Sequence, residues 1–145
     1  MIKYFTLKVL AIFDLIHQIK IFKFLRKKNL NNFEVFFDIG AHNGESINLF
    51  LKNFNIKKIY SFESSPINFE ILKKNLPNLK KKFNTQSINI ENITLGSENK
   101  DGILKQIDES SSSTLNNINI NSKYFKRKQS LVYSSKKKLF FSEIK

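Results

Sequence analysis

A chain of 145 residues is sized for one domain and is long enough to bury roughly two-thirds of the surface its unfolded form exposes. It has no cysteine, which excludes disulfides and thiolate metal sites and makes a reducing compartment, the cytoplasm, the expected setting; two histidines, His17 and His42, weigh against a zinc site. The net charge of +13 points towards nucleic acid, but only Arg26 and Arg127 of the 25 basic residues are arginine, the residue that forks onto phosphates and guanines. Abundant Lys, Asn and Ile are what an AT-rich coding bias gives, so the charge reads first as a lysine-solvated surface.

Residues 1–28, "MIKYFTLKVLAIFDLIHQIKIFKFLRKK", are apolar but broken by Lys3, Lys8, Asp14, Lys20 and Lys23. The uncharged runs fall short of the roughly 18–20 residues a bilayer crossing needs. Asp14 and the lack of a small-residue cleavage site argue against a signal peptide. Ile12, Leu15, Ile16 and Ile19 recur at spacings of three and four, which predicts an amphipathic helix over the segment 1–32. Packing on the domain is its first expected use and peripheral contact with a membrane surface its second. His17 reads as an ordinary helix residue.

The pattern changes at residue 33. "FEVFFDI" is a short apolar run ending in an acid, as a buried parallel strand does. After the glycines, Ile47, Phe50, Leu51 and Phe54 mark one helix face. "KKIYSF", residues 57–62, predicts a second strand that ends at Glu63. A second helix follows, with Ser64 or Ser65 as N-cap, Pro66 in its first turn, Phe69, Leu72 and Leu76 on one face, and Pro77 as its stop. This order predicts right-handed βαβ units. The expected fold is therefore α/β: a Rossmann-like, doubly wound, mainly parallel three-layer domain over 33–145. Downstream, "SINIENITLGS" predicts one or two strands, and "ENKDGILKQI" a turn at Asp101-Gly102 and a short strand. "ESSSSTLNNININS" reads as a polar loop, and "SLVY" and "KLFF" as weak strand candidates.

The tight turn in "DIGAHNGES" needs residues that tolerate positive φ or close approach of a ligand, which Gly40 and Gly44 supply. The next helix offers free N–H groups and the positive end of its dipole. Asp38 and Glu63 stand at the carboxyl ends of successive strands, the edge where open parallel sheets bind ligands. A carboxylate about twenty residues past the glycines suits the hydroxyls of a ribose. The G-x-G-x-x-G pattern of dinucleotide sites is not met, because His42 stands where its middle glycine would be. Asp38 would repel a pyrophosphate and suits a cationic ligand. Those features favour S-adenosylmethionine over NAD.

"VFFDIGAHNGES" followed by "IYSFESSPINFEILKKN" resembles the FkbM-type S-adenosylmethionine-dependent methyltransferases. Asp38, Gly40, Ala41 and Gly44 match that family's loop, and Glu63, Pro66, Asn68, Leu72 and Asn75 its second motif. "ITLGSENKDGILKQI" and the serine run 110–113 resemble later segments, so the likeness spans about residues 33–115. His42 replaces the usual Asn, and Ser64-Ser65 stand where Glu-Pro is more common. The family's Ile-Asp-x-Glu-Gly strand has no counterpart: "QIDES" at 106–110 comes too early and lacks the glycine. The chain is therefore expected to be a fragment or a short form.

The resemblance implies methyl transfer from S-adenosylmethionine to a hydroxyl of a sugar, glycan or related metabolite. It places Asp38, Gly40, Ala41, His42, Gly44, Glu63 and Ser64 on the cofactor, implies no metal and leaves the catalytic base unnamed. The alternative is a catalytically inactive adenosyl-ligand-binding remnant. A basic nucleic-acid-binding module comes third.

Overall fold

The computed structural model describes residues 2–84, 87–98, 101–107, 113–132 and 139–144. In chain order the elements are α1 (Ile2–Lys27), β1 (Asn32–Ile39), α2 (Glu45–Asn53), β2 (Asn55–Phe62), α3 (Pro66–Phe83), β3 (Ile88–Glu91), β4 (Gly102–Ile107), β5 (Ser113–Thr114), α4 (Lys123–Val132) and β6 (Leu139–Ile144). They fall into two compact units, Met1–Asn31 with Asn119–Lys136, and Asn32–Ile118 with Lys137–Lys145. The later segment around α4 groups with the N-terminal helix instead of with the domain expected over 33–145.

In the first unit, α1 ends where Asn29 turns left-handed (φ 60) and Leu30 N–H donates to the Leu25 carbonyl at 3.0 Å, a C-terminal stop that Asn accommodates. Its amphipathicity is only partial. At 100° per residue, Ile12, Leu15, Ile16 and Ile19 share one side and Asp14, His17 and Gln18 the other. From there Lys20, Lys23 and Lys27 occupy the side those apolar residues held, so no single apolar stripe runs the full helix. The helix α4 was not expected: Ser130–Val132, the start of a weak strand candidate, are helical. At its start the Ser122 hydroxyl accepts the Phe125 N–H at 3.1 Å, as an N-cap does.

In the second unit β1, β2 and β3 form a parallel sheet in that order. Both connecting helices lie on one of its faces. Phe50 of α2 stacks on Phe36 of β1 with ring centroids 4.5 Å apart. Ile47, Ile59, Leu72, Leu79 and Ile88 are buried in this layer. The other face carries Val35, Phe37 and Ile39, which are 41%, 61% and 68% exposed. Phe37 stacks there on Tyr60 and Phe62. The expected buried strand is thus an edge strand of this sheet, and among the described residues the connecting helices cover one of its faces where both were expected to be covered.

Two further expectations are corrected. Pro77 does not stop its helix; α3 runs through it to Phe83 and ends at Asn84 in the left-handed region (φ 49). Removing one helical hydrogen bond costs about 3 kcal/mol, which is offset because the last turns carry buried Leu79 and the dipole-matching Lys80, Lys81 and Lys82. The downstream strands do not extend the parallel sheet. They form a separate antiparallel sheet in the order β5-β4-β6. Parallel pairing needs a crossover of a dozen or more residues, usually a helix, and the stretch between β3 and β4 is shorter than that. Within "SINIENITLGS" only Ile88–Glu91 is a strand, while Leu139–Phe141 of "KLFF" lie in β6. Ser110–Ser112 of the serine run, and Asp108–Ser110 of "QIDES", lie outside the described residues.

Candidate functional site

Each side chain of this site is placed by the βα turn after β1 or by the end of β2. The turn needs positive φ at three alternate positions. Gly40 (φ 82), His42 (φ 50) and Gly44 (φ 93) all take positive φ. Gly40 N–H and Ala41 N–H both donate to the Phe62 carbonyl, at 2.9 and 3.1 Å, which ties the turn to the end of β2. Gly44 N–H closes it onto the Ala41 carbonyl at 2.8 Å. The two glycines differ in surroundings. A Cβ on Gly44 would lie 3.0 Å from Leu72 Cδ1 and 3.2 Å from Leu79 Cδ1, whereas one on Gly40 would meet nothing within 4 Å. Gly44 is the packing glycine and Gly40 the one beside open space.

Glu63 joins the turn to the segment after β2. Its buried carboxylate, 4% exposed, accepts the His42 N–H on Oε2 and the Ser65 N–H on Oε1, both at 2.8 Å. Asn92 Nδ2 donates to the Glu63 carbonyl at 2.6 Å. Ser65, not Ser64, caps α3: its hydroxyl accepts the Asn68 N–H at 3.3 Å and donates to Gln106 Oε1 of β4 at 2.5 Å. Ser64 is half-buried, and its carbonyl accepts from Asn92 at 3.3 Å.

Asp38 is buried at the end of β1, and Ser46 donates to its Oδ2 at 2.6 Å. Desolvation raises its pKa above the ordinary value of 3.8; the Ser46 hydrogen bond works against this, and the charges of Glu63 and Glu45 add to it. The sign follows. A folded-state pKa above the unfolded one means the native protein holds the proton more tightly, so this group stabilises least at neutral pH. Its penalty is relieved as pH falls through the raised value towards 3.8. Asp38→Asn, which keeps an acceptor for Ser46, is expected to raise the melting temperature at pH 7. That gain should shrink as pH approaches 4; a gain independent of pH, read by thermal denaturation, would contradict this account.

The third acid, Glu45, opens α2 and was not among the expected site residues. Its Oε1 and Oε2 lie 3.1 and 3.3 Å from His42 Nδ1, and its Oε2 accepts the Asn43 N–H at 3.1 Å. Partial burial pushes its pKa up, but hydrogen bonds from its own backbone N–H, His42 and Asn43 outweigh that and hold it below the ordinary carboxylate value. Asn75 of α3 donates to the Asn43 carbonyl at 3.1 Å, holding the turn from behind. A pocket of about 330 Å³ lies on that rear side, lined by Asn43, Gly44, Glu45, Asn48, Asn75 and Lys82 among others. Asp38, Gly40 and Glu63 are not among its lining residues.

Sequence reasoning located Asp38, Gly40, Ala41, His42, Gly44 and Glu63, and the structure brings them together around one turn. It missed Ser46, Glu45 and Gln106 as supports; Ser65 was offered as an N-cap and Asn75 as a motif match, but their hydrogen bonds to Gln106 and to the Asn43 carbonyl were not foreseen. Comparison of the chain with protein-family models, curated proteins and solved structures found no match.

Proposed function

We propose that this chain binds S-adenosylmethionine at the turn 38–44 and transfers its methyl group to a hydroxyl oxygen, on a class I methyltransferase variant of the Rossmann-like fold. The observation that carries the reading is a buried acid, Asp38, beside a glycine whose missing Cβ leaves open space. A desolvated carboxylate with a raised pKa is poorly placed for stability and well placed for a cation. The residues fit the group. Asp38 Oδ1 accepts no hydrogen bond among the described residues and suits an ammonium or sulfonium charge. Glu63 keeps one lone pair on each oxygen beyond the N–H it already accepts, which suits a ribose diol. Gly40 admits the ligand against the backbone.

When bound, the cofactor supplies an already activated methyl carbon. The chain's task is then to orient the donor against the acceptor and to exclude water. Asp38 holds charge, Glu63 fixes the two loops relative to each other, and His42, its ring held by Glu45, lines the mouth of the turn. A sugar or glycan hydroxyl in the cytoplasm is the acceptor class this reading carries.

A second reading, a ligand-binding domain without catalysis, is favoured by Glu63 itself, whose two oxygens already serve the backbone. Calorimetric titration with S-adenosylhomocysteine tests the shared part. Binding should occur and should weaken by about tenfold or more in Asp38→Ala, the loss of a charge-assisted contact. Equal affinity in the variant would remove the site assignment. Methyl release from labelled donor in the presence of sugar acceptors separates enzyme from binder.

A further inference from the structure

We propose that α1 is an anchor for anionic lipid bilayers, a role that does not rest on the methyl-transfer reading. The large apolar side chains Leu10, Ile12, Phe13, Leu15, Ile16, Ile19, Ile21 and Phe24 are all exposed along this one helix, the least of them 42%. Four of them, Ile12, Leu15, Ile16 and Ile19, stand side by side on one face, while Leu10, Phe13, Ile21 and Phe24 lie around the rest of the helix; a contiguous set on one element marks an interaction surface.

The charge pattern names the partner. Over Ile12–Ile19 the side bearing Ile12, Leu15, Ile16 and Ile19 is apolar, and Asp14, the only acid in residues 1–28, lies on the opposite side with His17 and Gln18. Continuing along the apolar side past Ile19, the positions are held by Lys20, Lys23 and Lys27. The same side of the helix thus presents an apolar segment and then a row of cations, with the acid turned away. A bilayer with anionic headgroups satisfies both halves together: acyl chains receive the isoleucines, phosphates receive the ammonium groups, and the lysine stems reach between the two depths. An apolar protein groove would leave those lysines without partners. Two copies of the helix would bring like charges together.

The geometry sets the mode. No helix among the described residues is long and apolar enough to cross a membrane. The stretch between Lys8 and Lys20 rises about 16 Å, roughly half of a hydrocarbon core. The helix therefore lies in one leaflet's interface instead of spanning it.

Flotation of the full chain with vesicles provides the test. It should bind vesicles of equimolar phosphatidylcholine and phosphatidylglycerol, release as salt rises, and bind pure phosphatidylcholine far more weakly. Lys20→Glu/Lys23→Glu should weaken anionic-vesicle binding by about tenfold or more. Ile12→Asp/Ile16→Asp should abolish it, with helicity checked by circular dichroism; these side chains are exposed, so the folded core is not touched. S-adenosylhomocysteine titrations of both variants should match the parent chain, which keeps this test apart from that of the adenosyl site. Absence of binding to anionic vesicles would overturn the proposal. So would binding that survives Ile12→Asp/Ile16→Asp, which would mark a merely electrostatic surface, or a dimer that those two substitutions dissociate.

Discussion

Replacing Glu63 by alanine is expected to lower stability by about 3 kcal/mol and the melting temperature by about 10 °C for a chain of this size. The carboxylate is buried, and its two oxygens accept the backbone N–H groups of His42 and Ser65 at 2.8 Å each. Truncation removes the carboxylate acceptor of both donors in a place that water reaches poorly, and each lost partner costs about 1–3 kcal/mol. Glu63→Gln separates geometry from charge. Its amide can serve one N–H but sets an NH₂ against the other, so about half of the loss should remain. Urea or thermal unfolding of the three proteins checks the order Glu, Gln, Ala. If Glu63→Ala melted with the parent chain, Glu63 would not be the clamp between the two loops.

Alanine at the two glycines of the turn should give opposite outcomes. Both hold positive φ, which costs an L-residue about 1 kcal/mol. At Gly44 the new Cβ would also press on Leu72 and Leu79, at 3.0 and 3.2 Å. Both leucines are buried, so they have little room to yield. Gly44→Ala is therefore expected to cost about 2–4 kcal/mol in total. Gly40→Ala meets no neighbour within 4 Å and should cost only the backbone strain. Its methyl group would instead stand in the space assigned to the ligand, so S-adenosylhomocysteine affinity should fall while the fold survives. Equal melting temperatures for the two variants would contradict the packing assignment. Unchanged affinity in Gly40→Ala would move the ligand elsewhere.

The turn was legible in sequence because its requirements are local. A strand carrying Asp38 near its end, glycines at 40 and 44, and a helix beginning at Glu45 follow from backbone sterics and hydrophobic spacing alone. Asn75 and Gln106 were not legible. Each meets its partner across 32 and 41 residues of chain, and nothing in "KKNLPN" or "LKQI" announces such a contact. Pro77 misled for a related reason. Its local rule is to stop a helix, and that rule is overruled by Leu79, which packs behind Gly44. The N-terminal helix misled in the other direction, since a spacing that holds from Ile12 to Ile19 is reversed by the lysines that follow.

Residue order was enough to establish two βα units, their glycine turn and the two acids at their strand ends, because short-range geometry governs all of these. It was not enough to establish how the remaining chain is used. That β4 pairs antiparallel with β5 and β6, that Phe37 and Ile39 are left exposed on one sheet face, and that Glu63 spends its oxygens on backbone N–H groups are outcomes of long-range pairing. Such pairings are settled by which distant groups satisfy one another's hydrogen bonds and buried surface. No stretch of a dozen residues contains that information.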